Sequence, residues 1–401
     1  MRRLQPFALA VTTAALAGAI LIGGCGGSQG GALPGQGQPA PGDVWHESGF
    51  FGVNAPVLRA YATPDRARAL DALAASMSAA GVQWARIVFD QSVEQRVPDR
   101  TDWTIPDAVV GALARHGIRT DALFVGTAAR DAETALVCGS MAYPSDVGGW
   151  ASFVGDSVRR YGRGGSFWDE HPELKPLPIE TWEIGNEENS HLFWCPSADA
   201  KRYARVYAAA RVAAHDADED AQVIVGGLAP TFSASPPGGD ANVADFLKQL
   251  IAADPPLVHE IPAVAVHLYG PNPNVDLLEL RAYRQALDGA GLRGTPMLVN
   301  EVGWHTLGPH DARYASEADR TAFIRQLASI SRRTDCNLVG FGVHAWVTAQ
   351  RDPADPEDWY GLADPLTGAP SAGARAYAAG IRAAESAPAR PGKGRLGTLC
   401  G

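Results

Sequence analysis

The feature that most constrains the fold is an alternation of short apolar segments with longer amphipathic segments, beginning at about Asp43. The apolar segments are rich in Val and Ile and are apolar on both faces, as strands of a helix-covered parallel sheet are. Eight of them are predicted as strands, at residues 50–54, 82–89, 118–125, 179–185, 222–227, 263–269, 297–301 and 338–346.

The segments between these strands have the apolar spacing of helices. In the first, Leu70, Leu73 and Met77 recur at intervals of three and four residues. Several start with Pro, Asp or Ser, which favour helix N-termini. Helices are predicted at 64–80, 106–116, 146–161, 198–214, 242–253, 275–289, 317–332 and 371–384. Strands that are each followed by a helix predict an α/β fold, a single (β/α)8 TIM barrel, with a doubly wound open sheet as the alternative.

Composition limits the functional class. Of the 401 residues, 46% are hydrophobic, enough for a large core and too many for a mostly disordered chain. The 34 Lys and Arg against 44 Asp and Glu give a net charge of −10. This acidic balance argues against coating nucleic acid or binding a membrane through a polybasic surface. An acidic enzyme or binding protein remains, with no nucleic-acid partner and no evident protein partner.

The N-terminus predicts export. Arg2 and Arg3 precede an apolar run over 7–22 that ends in small residues before Cys25, the pattern of a secretory signal. The run is shorter than the ~20 residues of a spanning helix. Its end resembles a bacterial lipobox, which implies cleavage before Cys25, lipidation of that residue and anchoring to the outer face of the cell membrane. An ordinary secretory signal with an incidental Cys is the alternative.

Segment boundaries follow from these patterns. Residues 1–25 are predicted as the lipoprotein signal and 26–42 as a flexible Gly/Pro/Gln tether. Residues 43–385 form the predicted barrel domain, and 386–401 an irregular tail.

Four further cysteines predict two disulfides, because an even count in an exported protein favours pairing. Three pairings are open to Cys138, Cys195, Cys336 and Cys400. The barrel favours Cys138–Cys195, which follow strands three and four on one face, and Cys336–Cys400 at the opposite end.

Two predicted strands end in carboxylates. Strand four ends W-E-I-G-N-E-E-N over 182–189, and strand seven ends L-V-N-E-V-G-W over 298–304. Catalytic groups of such barrels lie at the C-terminal ends of the strands, so these carboxylates would face each other across the mouth. A pair of that kind performs glycoside hydrolysis: one acid protonates the leaving oxygen, and the other attacks or activates water.

The same segments resemble a known family. Residues 182–189 are similar to the W-E-I-W-N-E-P-N acid/base motif of clan A glycoside hydrolases, and 298–304 resemble their T-E-x-G-W nucleophile strand. Y-G-R-G-G-S-F-W over 161–168 and H-P-E-L over 171–174 are similar to bacterial "cellulase family" enzymes related to families 5 and 39. The likeness covers about 43–384. Gly185 replaces the usual Trp, Glu188 the usual Pro and Asn300 the usual Thr.

The resemblance implies a glycosidase that retains configuration and cleaves O-glycosyl bonds of a β-linked oligo- or polysaccharide. Glu187 would be the acid/base and Glu301 the nucleophile, and Asn186 would hold the 2-hydroxyl of the sugar. No metal or organic cofactor is implied, because two carboxylates suffice. Further substrate-binding or supporting residues are predicted to be Arg86, His267, Tyr269, Trp304 and Trp346.

Glu183 and Trp194 lie close to these residues in the sequence, and other roles are predicted for them. Glu183 has the strand parity of Glu187, which favours a buried ion pair with Arg86 over a catalytic role. Trp194 could stack on a sugar or anchor its loop, and these alternatives stay open.

Two other functions are considered. A metal-dependent barrel hydrolase could use His191, His267, His305 and His344, but strand one lacks His-x-His, and strands three and five do not end in carboxylates. A degenerate, lipid-anchored barrel that binds glycans without cutting them is the second, because the three motif departures could mark lost activity.

Overall fold

The computed structural model describes residues 41–46, 49–97, 100–127, 143–387 and 399–400. Its centre is a closed barrel of eight parallel strands in sequence order. β1 pairs with β2 on one side and with β8 on the other, so the predicted TIM barrel is confirmed and an open sheet is excluded. The strands are β1 (Phe51–Asn54), β2 (Trp84–Asp90), β3 (Arg119–Val125), β4 (Thr181–Asn186), β5 (Gln222–Leu228), β6 (Val264–Leu268), β7 (Met297–Val302) and β8 (Leu338–His344).

A main helix follows each strand, and its ends lie within three residues of the predicted ends. Shorter helices at Gln91–Glu94, Ser166–Glu170 and Leu257–Glu260 occupy the connections. The main helices are α1 (Ala67–Ala80), α2 (Thr104–Arg115), α3 (Val147–Tyr161), α4 (Ala200–Ala217), α5 (Val243–Ala253), α6 (Pro273–Gly289), α7 (Glu317–Ser331) and α8 (Ala372–Glu385).

Polar side chains define where most of these helices begin. An N-cap side chain accepts a backbone N–H of the first turn at the starts of α3, α4, α5, α7 and α8. Such caps bind N–H groups that have no partner within the helix. The capping residues are Asp146, Asp199, Asn242, Ser316 and Ser371.

The barrel interior has an apolar end and a polar end. Trp84 fills the apolar end together with Ile224 and Leu298. Its ring lies so close to β1 that a Cβ on Gly52 would be 2.0 Å from a ring atom. Only glycine fits there, because any side chain would occupy the space of the indole. The polar residues discussed below lie toward the C-terminal ends of the strands.

The cysteine predictions have different outcomes. Cys336 and Cys400 form the predicted disulfide, with a Cα–Cα distance of 5.1 Å. Cys138 lies outside the described residues, so its pairing with Cys195 stays a prediction. The predicted signal, Cys25 and almost all of the tether also lie outside them. Within the described ranges, no helix is both long enough and apolar enough to cross a membrane.

Candidate active site

Glu301, near the C-terminal end of β7, is bound by side chains from three other strands or strand ends. Its Oε1 accepts hydrogen bonds from Asn54 Nδ2 at 2.5 Å and Arg86 Nη1 at 2.5 Å. Its Oε2 accepts one from the Tyr269 hydroxyl at 2.6 Å. The side chain is 10% exposed, so the carboxylate is held rigidly with a small part of its surface open.

The electrostatic environment keeps Glu301 ionised. Burial by itself would raise its pKa, but nearby positive charge and the Tyr269 hydrogen bond outweigh that effect. His267 Nδ1 lies 3.5 Å and His344 Nδ1 3.8 Å from Glu301 Oε2, and Arg86 contacts the other oxygen. Together they lower the pKa of Glu301 to about 2. The carboxylate is therefore charged at neutral pH.

Glu187 approaches the same point from the end of β4. Its backbone has φ of 52°, and its N–H donates to the carbonyl of Gly227 at 2.8 Å. Its Oε1 lies 2.8 Å from His267 Nδ1. Since that nitrogen is also 3.5 Å from Glu301 Oε2, the two carboxylate oxygens are at most about 6.3 Å apart.

Arg86 and Glu183 form the predicted buried ion pair beneath these carboxylates. Arg86 Nε and Nη2 donate to the two Glu183 oxygens at 2.5 and 2.7 Å. Glu183 Oε1 also accepts the N–H of Gly227 at 2.7 Å and Asn300 Nδ2 at 2.9 Å. Arg86 Nη2 reaches Asn186 Oδ1 at 2.8 Å. Because it also binds Glu301, this guanidinium connects β2, β4 and β7.

Two departures from the family motif depend on each other. Glu188 is fully buried, and neither carboxyl oxygen has a hydrogen-bond partner among the described residues. A Cβ on Gly185, which has φ of 80°, would lie 1.9 Å from Glu188 Oε1, and one on Gly226 would lie 2.5 Å from it. The Glu188 carboxyl thus occupies space that a side chain at position 185 would need. Burial raises the pKa of Glu188 well above its usual value, because an unpaired carboxylate is disfavoured away from water.

The structure does not bring the two predicted substrate-binding tryptophans to the mouth. Trp304 is 1% exposed, and its Nε1 donates to the carbonyl of Gly270 at 2.9 Å. Trp346 is 0% exposed, and its Nε1 donates to Ser76 Oγ on α1 at 2.9 Å. These indoles pack inside the protein, so their predicted contacts with sugar do not fit their positions.

Trp194 anchors its loop rather than facing the mouth. It is buried and packs edge-on against Tyr203 of α4, with ring centroids 5.5 Å apart. Its buried position fits the packing alternative.

Sequence reasoning missed two residues of the site. Asn54 is absent from the predicted site residues, and His344 is predicted only as a possible metal ligand, yet Asn54 donates to Glu301 and His344 approaches it. His344 Nδ1 is 3.0 Å from Asn54 Nδ2, and its Nε2 is 3.6 Å from Glu357 Oε2. Each is the last residue of its strand, and that position was the signal available in the sequence.

The histidines considered as metal ligands separate into two groups. His267 and His344 lie beside Glu301, as described above. His191 Nδ1 contacts Asp240 at 2.6 Å, and His305 Nε2 contacts Asp311 at 3.0 Å. The last two thus pair with separate loop carboxylates.

Comparison with solved structures identifies the fold. The GH39 enzyme from Xanthomonas axonopodis pv. citri matches with a TM-score of 0.59 and 20% identity, over 85% of this chain and 67% of that chain. GH5_18 from Streptomyces cattleya matches with a TM-score of 0.61 and 14% identity, over 85% of this chain and 82% of that chain. A glucosidase from Croceicoccus marinus matches with a TM-score of 0.58 and 17% identity, over 84% and 67% of the two chains.

The chain has the same (β/α)8 barrel fold as these glycoside hydrolases. It spans about two thirds of the length of the matched GH39 enzyme and glucosidase. No family model and no curated protein sequence matches it. In this barrel Glu187 follows β4 and Glu301 lies near the end of β7, which are the predicted positions of the two carboxylates.

Proposed function

We propose that this barrel is a clan A glycosidase that hydrolyses the O-glycosidic bond of a β-linked glycan or glycoside with retention of configuration. The observation that carries the proposal is the convergence of Glu187 Oε1 and Glu301 Oε2 on His267 Nδ1, at 2.8 and 3.5 Å. Two carboxyl groups that meet at the mouth of a barrel are the machinery of glycoside hydrolysis.

The reaction takes place in two steps. The Glu301 carboxylate attacks the anomeric carbon while Glu187 gives its proton to the glycosidic oxygen, so the C–O bond breaks and the alcohol leaves. A glycosyl ester on Glu301 results. Glu187, now deprotonated, then takes a proton from water, and the hydroxide attacks the anomeric carbon and releases Glu301.

Distance supports retention. The bound of about 6.3 Å between these two oxygens is compatible with the roughly 5–5.5 Å separation of the carboxyl groups in retaining enzymes. The pKa of Glu301, near 2, suits a nucleophile that is ionised before substrate arrives. Asn186, held by Arg86, is assigned the 2-hydroxyl of the sugar, as the family resemblance implies.

The names of matched structures support a β-linked substrate. They include an endo-β-1,4-mannanase from Thermotoga petrophila, fungal β-1,4-galactanases and an exo-β-1,4-mannosidase from an Opitutaceae bacterium. The Streptomyces cattleya structure holds Manβ1-4GlcNAc. The proposed substrate for this chain is therefore a β-linked oligo- or polysaccharide.

The decisive experiment measures reducing-sugar release from β-glucans, xylans, mannans, galactans and aryl β-glycosides. Glu187→Gln should lower turnover by about 10²–10⁴-fold, the usual contribution of a general acid, and Glu301→Ala should abolish it. Glu385→Gln, an exposed carboxylate on α8, is the matched control and should behave as wild type. Activity that survives in both site variants would show that these carboxylates are not the machinery.

Azide distinguishes the two roles. With an activated aryl β-glycoside, azide should restore Glu301→Ala by attack on the face that the nucleophile vacates, which yields the α-glycosyl azide. In Glu187→Ala azide should attack the glycosyl ester from the opposite face, which yields the β-glycosyl azide. Interchanged products would reverse the roles of the two residues. Glycan binding by the wild type without any cleavage would favour the degenerate, glycan-binding barrel.

The cellular location of the protein is part of the proposal. Cys25, at the end of a lipobox-like segment, is proposed to carry the lipid that anchors the enzyme to the outer face of the bacterial membrane. Mass spectrometry of the mature N-terminus should find a lipidated Cys25, and Cys25→Ser should release the protein from the membrane fraction. An unmodified N-terminal residue would contradict the anchor.

A further inference from the structure

Helix α6 binds the backbone of the segment that carries Tyr269. The N–H of Tyr269 donates to Glu279 Oε2 at 3.0 Å, and the N–H of Gly270 donates to Asp276 Oδ1 at 2.9 Å. From the other side, Trp304 Nε1 donates to the carbonyl of Gly270 at 2.9 Å. Polar atoms of Gly270 on both of its adjoining peptide groups are therefore held by side chains.

Asp276 is not needed to start its own helix. Asn272 caps α6 by accepting the N–H groups of Asn274 and Val275. Asp276 is the fourth residue of the helix, is fully buried and directs one oxygen to Gly270, whereas its Oδ2 has no partner among the described residues. Burial raises the pKa of Asp276 to about 8. A buried carboxyl group with one unpaired oxygen is energetically unfavourable. Since Asp276 does not cap its own helix, its position indicates a function outside the helix.

The contact between α6 and the segment leaves no room for a side chain at position 270. A Cβ on Gly270 would lie 2.8 Å from Val275 Cβ and 3.0 Å from Asp276 N. The backbone of Gly270 thus lies directly on the first turn of the helix. The hydrogen bond to Asp276 is made by the peptide group that joins Gly270 to Tyr269.

We propose that Asp276, assisted by Glu279 and Trp304, is a positioning residue that fixes the Tyr269 backbone so that the Tyr269 hydroxyl donates to the nucleophile Glu301. The tyrosine hydroxyl lies 2.6 Å from Glu301 Oε2, and Asp276 acts on Glu301 only through it. The kinetic consequence rests on the proposed function, whereas the structural consequence does not.

The first test needs no activity. In a crystal structure of Asp276→Ala, the Tyr269 hydroxyl should move beyond hydrogen-bond distance of Glu301. In Asp276→Asn, whose Oδ1 still accepts the Gly270 N–H, it should stay in place. If Asp276→Ala does not fold, Glu279→Ala removes the neighbouring acceptor and should cause the same displacement. An unmoved tyrosine in the alanine variant that folds would overturn the proposal.

The second test is a double-mutant cycle on kcat and KM. Tyr269→Phe, which removes a hydrogen bond to a charged group, should lower kcat roughly 10- to 100-fold. Asp276→Ala should lower kcat with little change in KM, Asp276→Asn should restore it, and Asp276→Ala combined with Tyr269→Phe should lose no more than Tyr269→Phe alone. Multiplying losses would show a general structural role and overturn the proposal.

A matched control variant tests whether removing any Asp near the start of a helix lowers kcat, and an inactive wild type would bear on the proposed function alone. Asp199→Ala makes the same change at the cap of α4, where Asp199 accepts the N–H of Arg202 at 3.0 Å, and should leave kcat unchanged. A wild type that cleaves no glycoside would count against the proposed function, and the crystal structures would still decide the role of Asp276.

Discussion

The buried acid Glu188 makes a sharp prediction about the pH dependence of stability. Its carboxyl is fully buried without a partner among the described residues, and burial raises its pKa well above the usual value. In the unfolded chain a glutamate ionises near pH 4.3. Above that pH the native state therefore holds one proton more than the unfolded state, and the free energy of unfolding falls as pH rises. One proton corresponds to about 1.4 kcal/mol per pH unit until the folded pKa is reached.

Glu188→Gln keeps the size and shape of the side chain but removes this proton. Between pH 5 and pH 7 the wild type should lose stability relative to the variant, by up to about 1.4 kcal/mol for each pH unit. Asp121 and Asp276 are also buried with raised pKa values, so the informative quantity is the difference between wild type and variant. That difference cancels the contributions the two proteins share.

The assay is urea unfolding followed by tryptophan fluorescence at pH 5, 6, 7 and 8. The gap in unfolding free energy between Glu188→Gln and wild type should widen in favour of the variant as pH rises. Glu385→Gln, at an exposed position on α8, should follow the wild type at every pH. Parallel curves for Glu188→Gln and wild type would refute the reasoning, because they would mean that Glu188 is ionised in the folded protein.

Three further predictions follow from the contacts described above. Arg86→Met leaves Glu183 buried without its counter-charge and should lower the free energy of unfolding in urea by about 3–5 kcal/mol. Adding Glu183→Gln should recover part of this loss, and strictly additive losses in the double variant would contradict the pairing. Tyr269→Phe removes a hydrogen bond that lowers the pKa of Glu301, so the acidic limb of the kcat/KM profile should move to higher pH, and an unmoved limb would contradict it. Cys336→Ser opens a disulfide between residues 64 apart and should cost roughly 4 kcal/mol in the chain-entropy model; a denaturation midpoint equal to that of the oxidised wild type would contradict this.

Much of the fold could be predicted because each strand is buried on both faces. Segments such as Gln222–Leu228 and Met297–Val302 are buried along their whole length, so their apolar runs stand out from the helical pattern. The candidate carboxylates could be placed for a related reason. In a closed parallel barrel all C-terminal strand ends meet at one mouth, and Glu187 and Glu301 close two of those strands.

Residues just beyond the strands could not be placed in this way. Trp304 and Trp346 follow β7 and β8, where the two-residue period of the strand no longer defines which way a side chain points. Both indoles face the packed interior and hydrogen-bond there. Asn54 and His344, in contrast, are the last residues of β1 and β8, and the pairing of these two strands brings them together beside Glu301.

The sequence by itself determined the barrel and the strand ends that carry the two carboxylates, because these depend on periodicity and on position along a strand. It favoured the disulfide between Cys336 and Cys400 among three possible pairings. Only the tertiary structure shows which charged side chains pair near the barrel mouth and which side chains fill the space there. The Glu188 carboxyl fits against Gly185, and the N–H of Gly270 binds Asp276. Both are close contacts between parts of the chain that the sequence pattern does not relate. Such contacts depend on ångström-scale packing, which leaves no period in the sequence.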